Sequence, residues 1–317
     1  MRIAIFGAGG VGAYFGARLA EVGNEVSIVA RGAQLDAIRE HGLRVDSVFG
    51  DMLVRPKVAS ASAKDIGQVD AVLLGVKTWQ VADVAPALKP LLGRDTFVVP
   101  LQNGVEASSQ LAAELPPEHV LEGLCGTLSW VTEPGRIRSI GKVHFVKLGE
   151  RDNRPSERAE RLRAAFERAG VNAEVPADVQ AALWAKFLFV VSLGGVGAVT
   201  RVPVGILRSL PRTRQMLEDC MREILSVARA RRISLEDPVI GKTLAFVDSL
   251  APDGTTSLQR DIMAGKPSEL EAWNGAVVRF GRQAGVPTPL HEFIYDSLLP
   301  QEMQTRGGTD RSAARPA

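Results

Sequence analysis

A chain of 317 residues with 45% hydrophobic and 23% charged content has the composition of a folded globular protein of two domains rather than a disordered or fibrous one. A formal net charge of +2, with no lysine and arginine stripe interleaved with aromatics, argues against nucleic acid as a partner. Cys125 and Cys220 lie far apart, no CxxC pair occurs, and His41, His119, His144 and His291 are scattered, so no metal site is expected and the compartment reads as reducing. The chain opens on a strand, "MRIAIFG", without a charged leader and cleavable apolar segment, and no apolar run approaches a membrane span; a cytoplasmic protein without a membrane partner is expected.

The first half alternates strand and helix. "RIAIFG" is a short buried strand, "GVGAYFGARLAEVG" has helical spacing of Val11, Phe15, Leu19 and Val22 with Gly23 as its stop, and "EVSIVA" is a second strand, together a βαβ unit. Further strands are predicted at 69–76, 96–102 and 119–124, with "QVADVAPALKPLL" and "ASSQLAAEL" as helices between them. "TLSWVTEPGRIRSIGKVHFVKLGE" reads as a hairpin with a Pro-Gly turn at the sheet edge, and "ERAERLRAAFERAG" as a polar helix. From Asp178 the pattern is helical: Asp178 caps a helix reaching about residue 200, and further helices are predicted over 213–232, 237–250 and 268–285. The fold class is therefore α/β, an N-terminal Rossmann-type doubly wound sheet over residues 1–175 followed by an all-helical C-terminal domain over 176–304. Residues 305–317 are polar, small and expected to be disordered.

Chemistry enters with "GAGGVG". Gly7, Gly9 and Gly12 satisfy GxGxxG, directly after a strand and at the opening of a helix. Such a loop needs glycine at the tight turn, where backbone approaches a pyrophosphate, and where helix meets strand, so the segment Gly7, Ala8, Gly9, Gly10, Val11 and Gly12 is the candidate dinucleotide cradle, the alternative being a merely glycine-rich turn. The residue closing the second strand selects the cofactor. An acidic side chain there suits a ribose 2′-hydroxyl, whereas "IVARG" supplies Arg31, suited to a 2′-phosphate, and NADPH/NADP+ is favoured. Lys77 in "GVKTWQ" and Gln102 and Asn103 in "PLQNGVE" follow two other strands, where such folds bind ligands, although Asn-Gly is also an ordinary turn pair. In "LWAKFLFVVSLGG" one lysine, Lys186, interrupts an apolar run; either its stem lies on apolar surface with its head in water, or the charge has a task.

The stretches "GAGGVGAYFG", "ARG", "VKTWQ", "PLQNGVE", "PGRIRSIGKVHFVKLGE", "WAK" and "TTSLQRDIMAGKPSELEAWNG" resemble, in order and spacing, the ketopantoate reductase family over essentially residues 1 to 300. The last is the most specific, placing Ser257, Asp261, Glu269 and Gly275 at family spacing. The resemblance implies an NADPH-dependent oxidoreductase that reduces a 2-oxo acid, its small-molecule partner, to the 2-hydroxy acid, with a homodimer as a candidate assembly. It further implies Lys186 as general acid, Asn103 in contact with cofactor and substrate, Ser257 and Glu269 lining the same site, and Lys77 and Arg31 at the adenosine end of NADPH. One departure stands out: the family lysine is commonly followed four and eight residues later by asparagine, where this chain has Val190 and Gly194. These two positions would make the substrate pocket more apolar and roomier, and hydrogen bonds to a hydroxylated substrate would be lost. Two other readings are a β-hydroxyacid-dehydrogenase-like oxidoreductase, which lacks a counterpart of "SLQRDIMAGKPSELEAWNG", and a non-catalytic NADP(H) sensor, for which Lys186, Asn103, Ser257 and Glu269 would have no use.

Overall fold

The computed structural model of the chain describes residues 1–307, with Lys142 as backbone only. It forms two compact units, Met1–Leu183 and the residues from Trp184 onward. In chain order the first unit runs β1 (Arg2–Phe6), α1 (Gly10–Glu21), β2 (Glu25–Val29), α2 (Gly32–His41), β3 (Leu43–Ser47), β4 (Met52–Val54), β5 (Ala59–Ser60), β6 (Val69–Leu74), α3 (Val81–Val84), β7 (Leu92–Pro100), α4 (Ala107–Glu114), β8 (Leu121–Glu133), β9 (Arg136–Glu150), α5 (Glu157–Arg168) and β10 (Asn172–Glu174). Then follow α6 (Val179–Thr200), α7 (Val204–Ser209), α8 (Pro211–Ala230), α9 (Val239–Ser249), α10 (Ser257–Met263), a π turn (Glu271–Gly275), α11 (Ala276–Ala284) and α12 (Pro289–Thr305). The second unit contains only helices among the described residues.

Five strands pair in the order β5-β2-β1-β6-β7, all parallel. A parallel strand is covered on both faces, and the sequence of β1 accordingly has no polar alternation: Ile3, Ala4 and Ile5 are fully buried. Phe15 and Leu19 of α1 are buried in the same core cluster, each side chain contributing about 1.5–3 kcal/mol of transfer free energy. The predicted βαβ unit is thus present, as are α4, α5 and the helix capped by Asp178, whose Oδ1 accepts from the Ala181 amide at 2.9 Å.

Four expectations need correction. The strand expected at 119–124 begins at Leu121 and belongs to a second sheet: it pairs antiparallel with β9, and the Pro-Gly hairpin they form joins the path β10-β9-β3-β4 instead of sitting at the edge of the first sheet. The segment "QVADVAPALKPLL" is not one helix, because Pro86 and Pro90 cannot donate amide hydrogen bonds; only Val81–Val84 is α, flanked by 3₁₀ turns at Thr78–Gln80 and Ala85–Leu91. The 268–285 segment enters α11 through the π turn. Finally, α6, with 22 residues, is long and apolar enough to cross a membrane, contrary to expectation, but 67% of its most apolar window is buried inside the protein, which marks a core helix. The tail expected to be disordered lies, beyond Gly307, outside the described residues.

Candidate functional site

In a parallel sheet all carboxyl ends point one way. β2, β1, β6 and β7 are consecutive neighbours, with Phe6 opposite both Val29 and Leu74 and Leu74 opposite Pro100, so the residues following them share one edge. The sheet thereby brings together Gly7–Gly12, Arg31, Lys77, Gln102 and Asn103, every first-unit residue predicted for the site.

The glycine loop is built by backbone contacts. Gly7 has φ +101°, and a Cβ there would meet Val76 Cγ1 at 2.8 Å and the Gly75 carbonyl carbon at 2.9 Å. A Cβ at Gly12 would run into the Gly7 carbonyl oxygen, and one at Gly10 into the Ser129 carbonyl of β8. Gly9 differs: only the Gly75 carbonyl oxygen lies nearby, at 3.8 Å, leaving the open approach that a pyrophosphate needs. No side chain caps α1, so its first amides are available to an anion. Ala8 is buried and its carbonyl accepts from Gln34 Nε2 at 2.9 Å, while Gln34 Oε1 accepts from the Gly135 amide at 2.9 Å. Gln34 therefore ties the loop to the hairpin turn, a role that a polar helix residue does not announce in sequence. Val11 is partly buried against the core.

Around this loop, Arg31 is exposed and starts α2 in extended conformation. Lys77 is exposed, with its ammonium 5.6 Å from the centre of the Trp79 ring. Gln102 is buried and brackets β6: its Nε2 donates to the carbonyls of Leu74 and Val76, both at 3.0 Å. Asn103 is half-buried, followed by Gly104 at φ +120°. A nicotinamide dinucleotide fits these residues: the Gly9 approach and the uncapped start of α1 suit its pyrophosphate.

In the second unit, Lys186 and Val190 are half-buried on α6, one helical turn apart. Gly194, one turn further, is buried and opens no room. A Cβ there would meet Trp273 Cζ3 at 2.7 Å and Cε3 at 3.1 Å, so the indole already occupies the space, correcting the expected roomier pocket. Further side chains fill α6 at neighbouring glycines, Asn274 at Gly195 and Gln259 at Gly197. Leu258, beside Ser257 at the start of α10, also lies near Gly194, at 3.5 Å. Ser257 is half-buried behind the cap Thr256, whose Oγ1 accepts from the Gln259 amide at 3.2 Å. Glu269 is buried and precedes the π turn; its neighbour Ser268 is held by Glu302 of α12 through Oγ at 2.6 Å, and Glu302 in turn by Arg306. The elements bearing Ser257 and Glu269 thus dock on the helix that carries Lys186.

His144, His291 and both cysteines serve local packing. His144 Nδ1 lies 2.7 Å from the Tyr14 hydroxyl, and His291 Nδ1 2.7 Å from Glu223. Cys125 points its thiol at the Leu101 carbonyl at 3.3 Å, and burial pushes the Cys220 thiol far above its ordinary range.

Residues 3–153 match the family described as Ketopantoate reductase PanE/ApbA, and residues 178–302 its C-terminal part. A 2-dehydropantoate 2-reductase of Mesorhizobium japonicum is 30% identical over 310 residues, covering 91% of this chain and 94% of the relative. Among solved structures, the PanE/ApbA family ketopantoate reductase from Ralstonia eutropha is 31% identical with a TM-score of 0.88 over 96% of this chain and all of that one. A D-mandelate dehydrogenase solved with NADH and anilino(oxo)acetate is 25% identical, also with a TM-score of 0.88, over 96% of this chain and 99% of that one.

Proposed function

Because the chain belongs to the ketopantoate reductase family, an oxidoreductase family that uses a nicotinamide dinucleotide, we propose that it reduces a 2-oxo acid bearing an apolar side chain, with NADPH as cofactor and Lys186 as general acid. The observation that carries the substrate class is the packing of Trp273 onto Gly194, with Val190 one turn earlier. Where the family commonly has two asparagines after the lysine, this helix presents a valine and a glycine covered by an indole. A substrate hydroxyl desolvated there without a partner costs about 1–3 kcal/mol. The structural likeness to a D-mandelate dehydrogenase holding an aromatic oxo acid derivative supports the same class.

The cofactor, when bound, supplies hydride to the carbonyl carbon. The chain's own groups do the rest. As negative charge grows on the carbonyl oxygen, the Lys186 ammonium stabilises it and then delivers its proton. Asn103 and Ser257 donate to the substrate, Glu269 balances charge near the ammonium, and Lys77 and Arg31 hold the adenosine end. The guanidinium of Arg31 suits a 2′-phosphate, which is the ground for NADPH over the NADH of the mandelate enzyme.

The test is a panel of 2-oxo acids, with loss of NADPH followed by absorbance. Acids with aliphatic or aromatic side chains are expected to match or exceed ketopantoate in kcat/KM, and Lys186→Ala is expected to lower kcat by about a hundredfold with NADPH affinity little changed. No turnover of any acid despite tight NADPH binding would leave the sensor reading standing, and a clear preference for ketopantoate over its deoxy analogue would overturn the apolar substrate class.

A further inference from the structure

Glu122, near the start of β8, is 2% exposed and has no role in the site described above. Its Oε1 accepts from Ser108 Oγ at 2.5 Å and from Gln180 Nε2 at 2.7 Å, and Arg151 Nε lies 3.6 Å away. Burial raises its pKa above the ordinary carboxylate range, against the opposing pull of the Ser108 bond, the Arg151 charge and the Gln180 bond. Burying a carboxyl is unfavourable unless its bonds serve a purpose, so the identity of the two donors matters.

Ser108 is the second residue of α4, five residues after Asn103, and Gln180 is the second residue of α6, six residues before Lys186. One carboxylate oxygen thus joins the root of the segment leading from Asn103 to the root of the helix leading to Lys186. The apolar contacts repeat the pairing. Leu124, two residues along β8 and on the same face as Glu122, is buried with Val179 and Leu183 of α6, and Val105, between Asn103 and α4, packs against the same cluster. The Val179 amide is held separately by Asn153 Oδ1 at 3.0 Å, so the start of α6 is pinned at its end while Glu122 governs its side.

We propose that Glu122 is a positioning residue for the reduction, a buried acceptor that ties the start of α4 to the start of α6 and so fixes the segments presenting Asn103 and Lys186. The catalytic consequence rests on the roles proposed for those two residues; the tether itself does not. Removing it lets both segments relax, and a displacement of about 1 Å at a reacting group is enough to lower turnover by about a hundredfold.

The experiment compares Glu122→Ala, Glu122→Gln and wild type as the full chain, by amide hydrogen exchange and by steady-state kinetics. In Glu122→Ala, exchange should quicken in both 103–110 and 179–187, kcat should fall about tenfold or more, and NADPH Kd should rise less than kcat falls, because the glycine loop is untouched and only the Asn103 contact is loosened. Glu122→Gln should restore both exchange and kcat, since its carbonyl oxygen still accepts from Ser108 and Gln180; a merely structural role for the charge would not predict that rescue. If the alanine variant does not fold, Ser108→Ala and Gln180→Leu each cut one donor and should each quicken exchange in both segments. Quickened exchange confined to β8 or to one segment would overturn the tether, and unchanged kcat despite loosening of both segments would overturn its positioning role. A Lys186→Ala enzyme that keeps its turnover would instead condemn the assignment of Lys186 and leave the exchange result to judge the tether.

Discussion

The two units present their candidate residues by different physical means. In the first, backbone does the work: Gly7 needs a positive φ, Gly12 has the Gly7 carbonyl where a side chain would be, and the residues after four adjacent parallel strands meet because strand direction leaves them no alternative. In the second, side-chain volume does the work. Gly194, Gly195 and Gly197 on α6 are filled by Trp273, Asn274 and Gln259 from far along the chain, and that packing carries Ser257 and Glu269 to the lysine helix. A site made of backbone tolerates almost no substitution at its glycines but is indifferent to distant residues. A site made of packing can be rebuilt by changing two partners together.

Three experiments sharpen this contrast. Gly12→Ala forces a methyl against the Gly7 carbonyl oxygen, where neither atom can yield without opening the loop, and is expected to cost about 3 kcal/mol or more in chemical denaturation along with loss of measurable NADPH binding. Unchanged affinity would mean that the loop is not the cradle. Gly194→Asn, which installs the family residue, should destabilise by about 1–3 kcal/mol, because Trp273 stands in its place. Pairing it with Trp273→Leu should recover part of that loss, and strict additivity in the double-mutant cycle would show that the two positions do not compete for space. The smallest effect concerns a side chain at the strand edge: Arg31→Asp should move the NADPH-to-NADH ratio of KM by about tenfold, equivalent to about 1.4 kcal/mol, with stability unaltered because Arg31 is exposed. A ratio that does not move would remove Arg31 from the cofactor site.

The same contrast explains what could be read from sequence. β1, α1, β2 and the glycine loop follow from local pattern, since a buried strand, a GxGxxG turn and an amphipathic helix each depend on residues a few positions apart. So does the start of α6 at Asp178. The segment between Arg31 and Val69, where α2 and three short strands lie, carries no periodicity long enough to recognise, and the sheet that β8 joins does not follow from its sequence because pairing with β9 is a tertiary choice. The lysine, asparagine, serine and glutamate of the candidate site came from family resemblance, not from spacing. Neither source could show that an indole covers Gly194, that Gln34 braces the glycine loop, or that Glu122 is buried between two helices, because each depends on residues brought together only by folding.

The π turn at Glu271–Gly275 bears on how this chain can change length. A π turn is a helical turn holding one residue more than α geometry uses, and here the surplus is absorbed just before α11 begins. Deleting one residue of the turn would let it close as ordinary α geometry while α11 keeps its phase, because the residue lost is the surplus one. A one-residue deletion that would throw an ordinary α-helix out of phase is thus expected to be tolerated better within these five residues than within α11 itself.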